Sequence, residues 1–153
     1  MKITDFLTAE TVIPALESRQ KNDVLKELAS RLAAANPSLD EHKVLEVISA
    51  REKISTTAIG EGVAIPHGKL PGLQSVVGVF ARSLAGVDFA SLDGEPTHLF
   101  FALIAPENAA ADHLKALARI SRLLKDADFR SRLMKGSTGQ ELYQIIAAED
   151  EKF

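Results

Sequence analysis

The 153-residue chain has no cysteine. Disulfides, thiolate nucleophiles and cysteine metal sites are thereby excluded, which fits a reducing compartment and leaves hydroxyl, amine, carboxylate and imidazole groups for any covalent chemistry. Long apolar runs are missing as well. No stretch approaches the ~20 residues that span a bilayer, and Met1-Lys2-Ile3-Thr4-Asp5 lacks the basic start and apolar core of a secretory signal, so a cytoplasmic protein without membrane insertion is expected. Nor is there an excess of positive charge. The 18 Lys and Arg are dispersed among 21 Asp and Glu, for a formal charge of -3, which gives no general attraction to phosphate backbones or anionic lipid and makes nucleic acid an unexpected partner.

What is present is ordinary for a globular chain: 46% hydrophobic and 25% charged residues. A chain of this size buries roughly 68 to 70% of its unfolded surface. One domain over residues 1–153 is expected, with no internal repeat, low-complexity tract or linker.

Helical spacing of Val24, Leu25, Leu28, Ala29 and Leu32 predicts a helix over 22–35, capped by Asn22 or Asp23 and ended by Asn36-Pro37. Ser38-Leu39-Asp40-Glu41 has the Ser-x-x-Glu form of a capping box and predicts a second helix reaching Arg51. Val63-Ala64-Ile65 predicts a short strand within an otherwise irregular connection from Glu52 to Gly72. Val76–Ala81 and Leu99–Ile104 are nearly continuous apolar runs, as in strands covered on both faces. Between them a strand is expected at Val87-Asp88-Phe89, with Asp93-Gly94 as a turn. Leu114, Leu117, Ala118, Ile120 and Leu124 predict a third helix beginning near Asp112 and His113. Phe129, Leu133 and Met134 predict a fourth. A final helix follows the Thr138-Gly139-Gln140-Glu141 capping box, with a frayed acidic tail at 149–153. Buried strands between amphipathic helices imply a layered α/β sandwich.

Within the irregular connection, Ile59-Gly60-Glu61-Gly62-Val63-Ala64-Ile65-Pro66-His67-Gly68-Lys69 displays one imidazole. Pro66 restricts its own φ and pushes Ile65 toward an extended conformation, while Gly60, Gly62 and Gly68 remove bulk around His67, so a phosphoryl group could approach closely. The other histidines read differently. His42 lies on a polar helical stretch, as a solvated residue does, and His98 reads as a strand-edge residue. His113 falls near a helix start, where it either helps to cap the helix or belongs to an anion site. A zinc site finds no His-Glu-x-x-His pair. A serine nucleophile finds no Gly-x-Ser-x-Gly elbow, and the glycines match neither the Walker loop nor the dinucleotide fingerprint.

Glu52, six residues, Ile59-Gly60, two residues, and Val63-Ala64-Ile65-Pro66-His67-Gly68 resemble the phosphorylation-site pattern of the mannitol- and fructose-type IIA components of the phosphoenolpyruvate-dependent phosphotransferase system. Ala50-Arg51-Glu52, Ala105-Pro106-Glu107 and His113–Ala118 extend the resemblance over nearly the whole chain. Leu103–Asn108 and Glu141–Ile146 look most like the nitrogen-regulatory branch. The resemblance implies a mixed central sheet with helices on both faces. It implies attack by Nε2 of His67 on the phosphohistidine of a nitrogen-branch HPr-like phosphocarrier, with no metal or organic cofactor. Arg51 and His113 would stabilise and orient the phosphoryl group, although Arg51 also reads as a helix-end arginine, and Thr56 or Thr57 would add a hydroxyl. Ile59, Val63 and Leu70 would form a docking surface, and regulatory targets such as potassium-transport regulators would respond to the phosphorylation state. Two other readings stand beside this one: a sugar-specific IIA that passes phosphate to a IIB domain, and a binding module that works without phosphorylation.

Overall fold

The computed structural model describes residues 1–152. In chain order, two 3-10 turns (Ile3–Asp5 and Ala9–Thr11) precede β1 (Val12–Ile13), α1 (Lys21–Ala35), α2 (Glu41–Ile54), β2 (Ala58–Gly60), β3 (Val63–Ala64), β4 (His67–Leu70), β5 (Val77–Val87), β6 (Thr97–Pro106), α3 (Ala110–Leu124), α4 (Ala127–Lys135) and α5 (Gly139–Asp150). No helix among the described residues is long and apolar enough to cross a membrane.

The sheet is mixed, in the order β1-β5-β6-β3-β2, with β4 also paired to β6. β5 runs antiparallel to β6, whereas β3 and β4 lie parallel to it one after the other, Val63 opposite Leu99 and His67 opposite Leu103. Alternation along β6 builds two cores. Leu99, Phe101, Leu103 and Ala105 pack with residues of α3, α4 and α5, while Phe100, Ala102 and Ile104 pack with α1 and α2. This is the expected sandwich with helices on both faces, and it explains why β6 is apolar without a break from Leu99 to Pro106.

Several local expectations are corrected. α1 is preceded by Gln20, with no side-chain cap; Asn22 and Asp23 lie inside its first turn. Asp40, not Ser38, caps α2, accepting from the amides of His42 and Lys43 at 2.9 and 3.2 Å. α2 continues past Arg51 to Ile54, which places Glu52 in its last turn. No separate strand forms at 87–89. Val87 ends β5 after a register shift that begins at Arg82, and Asp88 makes only an isolated bridge to Gln20. The end of α5 is not frayed: Asp150 is 1% exposed. Its carboxylate accepts from the Ile3 amide at 2.8 Å and Arg119 Nε at 2.5 Å, so it fastens the start of the chain to α3. At the other end of α5, Thr138 accepts from the Glu141 amide as expected, but Glu141 reaches back to the amide of Ser137 rather than of Thr138.

Candidate functional site

His67 is the first residue of β4, not part of an irregular loop, and its pairing with β6 fixes where the ring leaves the backbone. Its Nδ1 lies 2.8 Å from the carbonyl oxygen of Ile65. A carbonyl only accepts, so Nδ1 carries the proton, and in the neutral ring Nε2 keeps its lone pair. The ring is half-buried. Across from it stands His113, edge to face, with ring centroids 5.3 Å apart and planes at 73°. His113 lies in the first turn of α3, is 6% exposed, and its Nε2 has no hydrogen-bond partner. Arg51 completes the group from the last turn of α2. Its Nη1 donates to the Ser55 carbonyl at 3.0 Å, the helix-end contact, while its charge is felt at the His67 ring.

Gly68 makes this assembly possible. A Cβ there would sit 2.8 Å from Val47 Cγ2, 3.1 Å from Val47 Cβ and 3.3 Å from the Val47 backbone carbon. β4 therefore lies directly on α2, and Arg51, one helical turn beyond Val47, comes beside His67. Gly60 and Gly62 serve the backbone instead, since both take positive φ, 127° and 73°, in the β2–β3 turn. Gly68→Ala is expected to lose about 1–3 kcal/mol of stability through overpacking and to displace β4 from α2. Urea denaturation checks the first effect, and the shift of the His67 ring resonances checks the second.

Both imidazoles are held below their ordinary value of 6.5. For His67 the main cause is burial, followed by the Ile65 hydrogen bond, which acts upward, then Arg51, which acts downward, and Glu52, which acts upward. For His113 the causes are burial, then the positive forms of His67 and Lys69. Since the folded protein binds these protons more weakly than the unfolded chain, it loses stability as pH falls from about 6.5 through the depressed values, and keeps this contribution in full above that range. Ring titration by NMR is expected to place both midpoints below 6.5; a midpoint at or above it contradicts the burial argument.

Neither threonine hydroxyl is free for a phosphoryl group. Thr56 donates to the Phe89 carbonyl at 3.1 Å and Thr57 donates to Glu52. Of the expected docking residues, Ile59 is exposed but Val63 and Leu70 are core. Ile59 stands at a groove of about 430 Å³ bounded by Val63, Ile65, Leu124, Lys125 and Arg130. Leu114, next to His113 in the chain and one of the residues whose spacing predicts α3, is 68% exposed. His42 is exposed in the first turn of α2, at the other end of that helix from Arg51, while His98 Nδ1 lies 2.8 Å from the Ser83 carbonyl. Among the described residues no three His, Asp or Glu side chains gather to hold a metal ion.

A sequence model of the phosphoenolpyruvate-dependent sugar phosphotransferase system, EIIA 2, matches residues 5–149. The chain belongs to this EIIA 2 family. Among its relatives it is 50% identical, over 147 residues, to the nitrogen regulatory protein of Bradyrhizobium diazoefficiens, covering 96% of this chain and 95% of that protein. It is 40% identical over 151 residues to the fructose-specific EIIABC component of Bacillus subtilis, 99% of this chain but 24% of that longer protein. The crystal structure of nitrogen regulatory protein IIA-Ntr from Neisseria meningitidis superposes with a TM-score of 0.88 at 33% identity, over 94% of this chain and 98% of that one. The EIIA 2 fold is thus reached both from the sequence and from the three-dimensional structure.

Proposed function

We propose that this EIIA 2 protein is a cytoplasmic phosphocarrier that accepts a phosphoryl group on His67 from an HPr-like carrier and regulates target proteins by its phosphorylation state. The observation that carries the proposal is the hydrogen bond from Nδ1 to Ile65, which leaves the nucleophilic lone pair on Nε2. In the reaction the Nε2 lone pair forms the new P–N bond as the P–N bond to the donor imidazole breaks and its electron pair returns to that ring. About three quarters of an ordinary imidazole is neutral at pH 7, and the depressed value of His67 raises that fraction, so no strong base is required.

Phosphoryl transfer depends mainly on alignment and on neutralising the equatorial oxygens. Arg51 supplies a planar fork of donors after exchanging its contact with Ser55, and His113 supplies an N–H, since its Nε2 is unpartnered in the unphosphorylated protein. The product places nearly two negative charges on the half-buried His67 ring, which changes what docks there. Regulation is preferred over sugar uptake because of the 50% identity, along the full length, to a nitrogen regulatory protein. Potassium-transport regulators are a candidate class of target. The 40% identity to a fructose-specific component supports a second reading, transfer onward to a IIB domain. Incubating the phosphorylated protein with fructose- and mannitol-type IIB domains separates the two: little onward transfer is expected, and rapid transfer overturns the regulatory reading.

A further inference from the structure

Glu52, the acid that opens the motif, lies where α1, α2 and the β2–β3 hairpin meet, and its side chain is 3% exposed. A carboxylate buried this deeply is tolerated only when its oxygens are filled. Lys21 Nζ of α1 lies 2.9 Å away and also stands over the Phe89 ring, 4.6 Å from its centroid. The Thr57 amide donates to both carboxylate oxygens, at 3.1 and 3.3 Å, and the Thr57 hydroxyl donates as well. From there the connections run to the candidate nucleophile. The Thr57 carbonyl accepts from the Ile65 amide at 3.3 Å, and the Ile65 carbonyl accepts from His67 Nδ1 at 2.8 Å. Glu52 thus ties the helix turn that carries Arg51 to the segment that holds the proton on the far side of the His67 ring.

We propose that Glu52 is a positioning residue for phosphoryl transfer: through Thr57 and Ile65 it fixes the Nδ1-protonated form of His67 and the separation between that ring and Arg51. The proposal rests on His67 being the phosphoacceptor. Its chemistry favours a carboxylate over an amide. Two acceptor oxygens satisfy the Thr57 amide, the Thr57 hydroxyl and the Lys21 ammonium together, whereas an amide NH2 group would face one of these donors.

The test compares Glu52→Ala, Glu52→Gln and Lys21→Met in the full chain, with phosphorylation by the phosphoenolpyruvate cascade and ¹⁵N NMR of the imidazoles as separate readouts. Glu52→Ala removes the link, and kcat/KM for phosphorylation is expected to fall by about 10- to 100-fold, with loss of the Nδ1–H preference in the His67 ring. Glu52→Gln keeps an acceptor oxygen for the Thr57 amide but turns an NH2 group toward another donor, and is expected to recover only part of that loss, staying about 3- to 10-fold below wild type. Lys21→Met loosens the same junction but leaves the Thr57 bonds, and stays close to wild type. Should Glu52→Ala fail to fold, Glu52→Gln remains decisive. The charged or titratable groups acting on His67 are Arg51 and Glu52, and those acting on His113 are His67 and Lys69. Removing the one negative charge among them is expected to lower the His67 titration midpoint further. Wild-type rate, tautomer and midpoint in both Glu52 variants overturn the proposal, as does an equal loss of rate in Lys21→Met. Wild-type protein that takes no phosphate on His67 refutes the phosphoacceptor assignment instead, and the NMR comparison still reports on Glu52.

Discussion

His67→Ala is expected to take up no phosphate from the cascade while remaining folded. The loss should be about 10³-fold or more, because no other nucleophile stands in its place. His113 is the nearest imidazole, but it is buried, with Nε2 enclosed, and it approaches His67 edge to face. The expected stability change is about 1 kcal/mol, since the substitution removes one hydrogen bond to Ile65 and a half-buried ring from the end of a strand whose pairing with β6 is made by backbone. Circular dichroism and a denaturation curve check the fold, and radiolabel from phosphoenolpyruvate checks the chemistry. Full regulatory action by this variant would show a binding module that needs no phosphate.

Arg82→Met is expected to produce the largest loss of stability. Arg82 is 3% exposed, on β5, and it has no carboxylate in ion-pair contact among the described residues. Its guanidinium is held by main-chain oxygens: Nε donates to Pro14 at 2.9 Å, and Nη1 donates to Leu133 at 2.9 Å and to Gly136. The last two acceptors end α4, where unpaired carbonyls and the negative end of the helix dipole favour a cation. Methionine fills much of the volume but leaves those carbonyls buried without donors, at about 1–3 kcal/mol for each. A loss of about 3 kcal/mol or more is expected, equivalent to a fall of roughly 6–12 °C in Tm for a chain of this size. A Tm within about 2 °C of wild type would show that solvent or movement of α4 satisfies the carbonyls.

Arg82 also illustrates what the sequence conceals. Val76–Ala81 and Leu99–Ile104 were legible as buried strands because each face of each strand meets apolar side chains, and the amphipathic helices were legible from their spacing. Beyond Ala81, however, Arg82 and Ser83 interrupt the apolar run although both are buried on β5. Their partners are carbonyls and a turn amide far away in the chain or around a bulge, which no local pattern encodes. The site was legible in part for the same reason. Pro66-His67-Gly68 and its spacing from Glu52 singled out the imidazole, and the resemblance supplied Arg51 and His113, which the structure brings to the same place. β4 itself was hidden, since His67-Gly68-Lys69-Leu70 has a single large apolar residue and becomes a strand by pairing with β6. The contact of Gly68 with Val47, the burial of Glu52 and the exposure of Leu114 are likewise consequences of how α2, β4 and α3 meet. Asp150 misled in the opposite sense, because an acidic chain end normally frays unless an arginine and free amides receive it, as Arg119 and the first 3-10 turn do here.

The position of the phosphate on the wild-type protein is the measurement closest to the chemistry. Phosphorylation with phosphoenolpyruvate, the first enzyme and an HPr-like carrier, followed by intact mass and ³¹P–¹⁵N correlation on ring-labelled protein, is expected to give a single acid-labile adduct of about 80 Da, bonded to Nε2 of His67 while Nδ1 keeps its proton. An adduct on His113, on Nδ1 of His67 or on any other side chain, or none with a competent cascade, would contradict the assignment.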